Sequence, residues 1–400
     1  TAALVGVLAL IPVFAYRWRS KAHTMETTVT SPRLSRAEAL LCAVLLALIG
    51  LRLGGLAMEI IWRPLYSWDA TMHWATKAKV WVEYGDIVTF VSQGQWLELG
   101  GEGVYTDRHF NYPVTIPLLQ AWMNLATGQW NESLMNLPWL LCLAALGLAF
   151  YGQLRLSGVS TTTATVCTYF LLSLPLLNSH VALAGYADLF LGAAYGCALM
   201  SLHNWMQYRR RWLGLLTLCF SILCMQIKNE GTIWAMTLLP ALLVAFLDRR
   251  DAAKLFALMG LTGLLLAIIL PQDLMIAGQK LVNLVPRFRP EAVPAVITAI
   301  WLHDSWHLAG YMLLILVPLG VIMPGAILRS YLGVSAALGC AVAGFGFLFL
   351  FTGFSWGAAN FAAIGRLAIH LAPGLMFLCT LIFDDLCRRG YILAPSPRQA

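Results

Sequence analysis

Charged side chains are scarce in this chain. Asp, Glu, Lys and Arg together make up 11% of its 400 residues, against 60% apolar. With a mean hydropathy of +0.73, that shortage excludes an ordinary soluble globular domain. Ten-residue segments of alternating polarity are lacking too, which excludes a transmembrane β-barrel. Cysteine is present but without a framework: eight of the nine fall in apolar stretches, and Cys387 sits in the basic C-terminal tail. No long polar loop carries one, so neither a disulfide scaffold nor a zinc site is supported. The net charge of +7 does not point to nucleic acid, because the basic residues are confined to short clusters between apolar runs.

What is abundant is apolar length. Windows of about 17–22 apolar residues recur along most of the chain, the signature of an all-α polytopic membrane protein. Eleven spans are expected, near residues 1–16, 37–58, 134–153, 160–177, 189–207, 212–227, 231–247, 254–271, 307–328, 331–351 and 362–382. The first is read as a true span and not a cleaved signal, since a spanning pattern continues behind it. Three regions follow: a first span with a basic loop (1–36), a transmembrane domain (37–383) and a cytoplasmic tail (384–400).

Placing Arg17, Arg19, Lys21, Arg33 and Arg36 in the cytoplasm puts the polar region 59–112 outside. Working back from Arg209, Arg210 and Arg211 puts 178–188 outside as well. The two walks agree only if the short apolar segment 114–127 enters and leaves on one side, as a re-entrant or peripheral hairpin. Residues 70–84 carry helical periodicity, with Trp74, Ala78 and Trp81 on one stripe, and read as an interfacial juxtamembrane helix. The long loop 272–306 also falls outside.

This topology gathers the ionisable residues at one face: Asp69, Asp188, Lys228, Glu230, the His303-Asp304 pair and Arg366. Ionisable groups at membrane depth cost several kcal/mol, so each is a functional candidate. Asp69 fits a general base, or equally a helix N-cap satisfied by free backbone amides. Asp188 opens a span and admits the same two readings. Lys228-Asn229-Glu230-Gly231 forms a tight turn in which Lys228 meets a phosphate oriented by Glu230, or the two neutralise each other. Arg366 and His370 share a helix face at i, i+4, suited to a phosphate or to snorkelling. Arg108 and His109, just before Tyr112-Pro113, are candidates for a lipid headgroup or acceptor. The run His303-Asp304-Ser305-Trp306-His307 lacks a third metal ligand.

The runs Trp68-Asp69-Ala70, Tyr112-Pro113, Gly185-Tyr186-Ala187-Asp188, Lys228-Asn229-Glu230-Gly231 and 366–373 together resemble the GT-C superfamily of membrane glycosyltransferases. The resemblance is to bacterial relatives of the protein O-mannosyltransferase and aminoarabinose transferase group, and it covers most of 37–383. It implies a polyprenyl-phosphate-linked sugar as donor and an unidentified acceptor glycan, lipid or protein, at the periplasmic face of a bacterial inner membrane. Asp69 would match the essential acid of the first external loop, and Asp188 a second acid. Lys228 and Arg366 would meet the lipid phosphate. No cofactor is implied, and with one acid in Trp68-Asp69-Ala70 in place of an acidic pair, a divalent cation is not supported. An acceptor-binding element is expected on another subunit or in loops 59–112 and 272–306. Two other classes compete: a non-catalytic assembly subunit of a membrane complex, and a polyprenyl-lipid transporter. Transporters usually hold their ionisable groups near the midplane within internal repeats, and no repeat is evident here.

Overall fold

The computed structural model describes residues 34–276, 279–284, 286–323 and 331–392. The expected span 1–16, the basic residues Arg17, Arg19, Lys21, Arg33 and Arg329, and the tail from 393 onward lie outside the described residues.

The chain is overwhelmingly helical. In order come α1 (Arg36–Trp62), α2 (Ala75–Tyr84), α3 (Gln93–Glu98), α4 (Thr115–Thr127), α5 (Leu137–Leu156), α6 (Thr161–Leu172), α7 (Pro175–Ala182) and α8 (Asp188–Tyr208). They are followed by α9 (Arg211–Ile227), α10 (Glu230–Met236), α11 (Leu239–Phe246), α12 (Arg249–Ile269), α13 (Val293–Ile297), α14 (Ala309–Ile322), α15 (Leu332–Phe351), α16 (Ser355–Ala359) and α17 (Ile364–Arg388). Two minimal sheets occur. β1 (Thr89–Val91) pairs in parallel with β2 (Val104–Thr106), Phe90 opposite Tyr105, and Met275–Ile276 pairs antiparallel with Gln279–Lys280.

Among the described residues, four helices are long and apolar enough to cross a membrane, or five if the pair α6 and α7 counts as one span bent by 55°. The described residues are therefore those of an all-α chain with helices suited to a membrane, but among them the other expected spans do not form as single long apolar helices. Proline accounts for part of the difference, since its ring removes a helix hydrogen bond. Pro175 opens α7 after the bend, and Pro240 is the second residue of α11, after a break that splits the expected span 231–247 at Thr237 and Leu238. α14, with 14 residues, is roughly 21 Å long, well short of a hydrocarbon core of about 30 Å. α8 is long enough but carries Ser201, His203 and Asn204, all buried, so its polarity is tolerated by protein and not by lipid.

The expected span 37–58 is α1, whose N-terminus is fixed by a capping box in which Ser35 and Glu38 bond each other's backbone N–H. Most of its side chains are exposed, as suits a lipid-facing helix. α8 is the opposite case, enclosed by α5, α9 and α17. Close approach of α8 to α17 depends on Gly192 and Gly196, spaced one turn apart. A Cβ at Gly192 would lie 2.7 Å from the Ile369 carbonyl oxygen, and one at Gly196 would lie 2.6 Å from Pro373 Cβ.

Region 59–112 folds into a small cap. A π-turn (Ala70–Trp74) runs directly into α2, so the expected helix over 70–84 forms, and Trp74, Ala78 and Trp81 are buried as the stripe implied. The hairpin expected at 114–127 is the short helix α4, one face of which packs on α2 while Trp122 and Leu125 stay exposed.

Candidate functional site

Four chain segments distant in sequence meet at the end of the bundle where α8 and α17 begin. Asp188 is the first residue of α8, Lys228 follows α9, Glu230 begins α10, Arg366 lies in the first turn of α17, and Asp69 precedes the π-turn. Neither acid serves as a cap: no side-chain capping bond is present at Asp69, and Ala187 occupies the cap position of α8. Both carboxylates instead bind cations from elsewhere in the chain.

Asp188 is fully buried and fully partnered. Its Oδ1 accepts from Lys228 Nζ at 3.0 Å and from His370 Nε2 at 3.0 Å. Its Oδ2 accepts from Arg366 Nε at 2.9 Å, with Arg366 Nη2 at 2.8 Å. The tautomer of His370 follows from its other nitrogen. Trp234 Nε1, a donor only, bonds His370 Nδ1 at 2.9 Å, so Nδ1 must be the acceptor and Nε2 carries the proton given to Asp188. Both ring nitrogens are thus engaged inside the protein.

Arg366 is the bridge. Beyond Asp188, its two terminal nitrogens reach both oxygens of Asp69, with Nη1 at 3.4 Å from Oδ1, and its guanidinium lies 4.5 Å from the centre of the Tyr186 ring. The Asp69 side chain retains 16% exposure and that of Arg366 26%, whereas Asp188 has none. Asp69 and Arg366 therefore form the open edge of a charged network whose interior is closed. Lys228 Nζ also lies 3.5 Å from Glu230 Oε1, which accepts from the Tyr112 hydroxyl at 3.2 Å. Burial pushes the Tyr112 phenol well above its ordinary value and Glu230 adds to this, so the hydroxyl keeps its proton and donates. Glu230 Oε2 is buried without a partner.

The quoted sequence runs acquire physical reasons here. Gly185, at φ +121°, lets the loop before Asp188 touch the turn that carries Asp69; a Cβ there would sit 2.2 Å from Ala70 Cβ. Ser67 Oγ lies 2.6 Å from the Leu183 carbonyl and 2.8 Å from that of Ala184, tying the same two segments together. Gly231 admits the Cys224 carbonyl so closely that a Cβ would overlap it.

A second group of residues flanks Asp69 on the cap. Lys77 is buried against Asp107, Nζ to Oδ2 3.0 Å, and donates to the His109 carbonyl at 2.8 Å. Burial lowers its ammonium against the opposing pull of Asp107. The His109 ring stacks on Tyr112 at 4.7 Å, Tyr112 stacks on Trp74 at 5.5 Å, and His73 meets His109 edge-on at 4.4 Å. Burial lowers both imidazoles, so both are neutral near pH 7.

Of the residues singled out from sequence, Asp69, Asp188, Lys228, Glu230, Arg366 and His370 converge. His109 borders the cluster through Tyr112, while Arg108 is exposed and enters none of the described ion pairs. His303 packs on Phe361 at 4.7 Å, and Asp304 pairs only with the exposed His307. Sequence reasoning did not single out His73, Lys77, Asp107 or Trp234 as site residues. The spacing of Asp69, His73 and Lys77, four residues apart on one helical path, was a usable signal; Trp234 offered none. Among the described residues no group of three or more His, Cys, Asp or Glu side chains is arranged to hold a metal ion.

Comparison with protein-family models, with curated proteins and with solved structures found no match. The functional reading therefore rests on sequence motifs and geometry.

Proposed function

We propose that this chain is an integral-membrane glycosyltransferase of GT-C type. It moves a sugar from a polyprenyl-phosphate donor to an acceptor hydroxyl at the periplasmic face of a bacterial inner membrane. The observation that carries this reading is the asymmetry of Arg366: buried Asp188 holds it from one side, while partly exposed Asp69 holds it at the open edge.

A donor phosphate arriving at that edge competes for the Arg366 Nη groups, which suit phosphate oxygens as well as carboxylate oxygens. Asp188 keeps the guanidinium in place through Nε during the exchange. Asp69, released, accepts the proton of the acceptor hydroxyl as that oxygen forms its bond to the anomeric carbon. The bond from that carbon to the phosphate oxygen breaks, and its electron pair leaves on the lipid phosphate. Arg366 stabilises the departing charge directly in a site of low dielectric, and enclosed Lys228 adds its positive charge from behind Asp188. Asp188 and His370 are positioning residues in this scheme, and Glu230 with Tyr112 orients Lys228.

A second reading, a non-catalytic assembly subunit, draws on the internal pairing of both cations with carboxylates. Asp69→Asn separates the two. For the transferase, transfer from a polyprenyl-phosphate sugar should fall by about 10²–10⁴-fold while donor binding persists. Transfer unaltered by D69N removes Asp69 from its role. Absence of turnover with every polyprenyl-phosphate sugar tested, alongside co-purification with membrane partners, favours the subunit.

A further inference from the structure

Asp69 has two unlike flanks. On one side lies Arg366, the cation that pairs with it. On the other lie His73, His109, Trp74 and Tyr112, and the cation among them, Lys77, is already engaged by Asp107 and the His109 carbonyl. Both imidazoles here are uncharged, since burial lowers them, and the nearby Arg108 is exposed.

This second flank also holds unused polar atoms. His73 is 4% exposed and forms no hydrogen bond with any described residue; its Nδ1 is fully buried, and its ring is positioned by the edge contact with His109. Trp74 Nε1, on the next residue, is buried and unpartnered too. Leaving a buried donor or acceptor unsatisfied is costly, and two adjacent residues of this turn do so. The segment responsible is a π-turn, a departure from the α-helix that commonly occurs where side chains are re-aimed for function. His73 is four residues beyond Asp69, and the Asp69 charge acts on both His73 and His109.

We propose that His73 is the acceptor-side contact of this site, hydrogen-bonding a neutral, hydroxyl-bearing ligand whose reacting hydroxyl faces Asp69. The inference rests on the transferase reading and adds to it a direction: lipid phosphate on the Arg366 flank, neutral polyol on the His73 flank. A phosphate at His73 itself would meet a neutral imidazole and, in Lys77, a lysine that already has its counter-ion. A metal there would lack a third free ligand among the described residues.

The test uses full-length protein in lipid nanodiscs with isotopically labelled histidine, the His73 ring signals being assigned by loss in His73→Asn and, independently, the His109 signals in His109→Gln. A panel of neutral methyl glycosides is added first, then polyprenyl phosphate. The expected result is a shift of the His73 signals with at least one glycoside and none with polyprenyl phosphate. Shifts at His73 caused by the lipid phosphate, or no shift with any glycoside, overturn the proposal. If wild-type protein does not bind polyprenyl phosphate at all, the transferase reading itself falls, whatever His73 does. In a transfer assay, H73N should raise the acceptor KM about tenfold, as loss of one hydrogen bond does, and leave the donor KM unchanged. Equal changes in both constants would instead mark a purely structural residue.

Discussion

The two ends of the bundle use the same kinds of residue to different effect. Where α17 ends, Asp384 pairs with Arg388 and Asp385 with Arg389, each within one helical turn, and the arginine side chains remain 54% and 35% exposed. Where α17 begins, Arg366 pairs with Asp69 and Asp188, residues nearly 300 and 180 positions away, and the central acid is wholly enclosed. Pairs within one turn form in any helix and add little stability. Enclosed pairs between distant segments exist only in the folded chain, and removing one member strands the others without solvent. An ionic cluster of the second kind is costly to keep, which is why it reads as a site and the first kind as local pairing at a helix end.

The largest break in this contrast is expected from Asp188→Asn, which leaves Arg366, Lys228 and His370 short of their shared counter-ion. A loss of about 3–5 kcal/mol is expected, read as a lowered unfolding midpoint in detergent. Stability equal to wild type would mean the cluster is as dispensable as the far end. Next comes Gly192→Ala. Its Cβ would press on the Ile369 carbonyl and push apart the two helices that carry Asp188 and His370. Overpacking of that kind costs about 1–3 kcal/mol. The same variant should also weaken the function assigned to Arg366, so full activity in G192A would argue that the helix spacing does not set the site.

A smaller effect should come from pH. His73 and His109 are held below the ordinary imidazole value of 6.5 by burial, so the unfolded chain takes up protons first as pH falls. Their contribution to stability is therefore complete above pH 6.5, declines as pH drops toward the lowered folded values, and is flat below them. Midpoints measured across that range should converge with those of a His73→Gln, His109→Gln variant at the acidic end; parallel curves would refute the assignment. The smallest effect is reserved for the opposite end of the bundle. Asp385→Asn should change stability by no more than about 0.5 kcal/mol, and raised salt should shrink even that.

Several parts of this arrangement were legible in advance, for identifiable reasons. The helix after Asp69 could be read because Trp74, Ala78 and Trp81 recur at helical spacing and the protein buries that stripe. Asp69, Asp188, Lys228 and Arg366 could be read because charge is rare in this composition and each occurrence stands out. The number of full spans could not. Hydropathy sums over a window and does not register that Pro175 or Pro240 breaks the run, nor that α8 tolerates Asn204 because other helices surround it. His73 and Lys77 escaped notice because a histidine and a lysine in a polar loop region look like solvent-facing residues until their burial is known.

By itself, then, the order of residues dictated the solvent: too few charges to live in water, too much apolar length to avoid a bilayer, and a handful of ionisable groups that lipid would not tolerate unpartnered. Which of those groups face one another was decided only by packing. Gly185, Gly192 and Gly231 let backbones approach until Asp188 lies within hydrogen-bond reach of three partners from two other segments. Hydrogen bonds and ion pairs act over about 3 Å, and a linear sequence carries no information about distance at that scale until helices have docked.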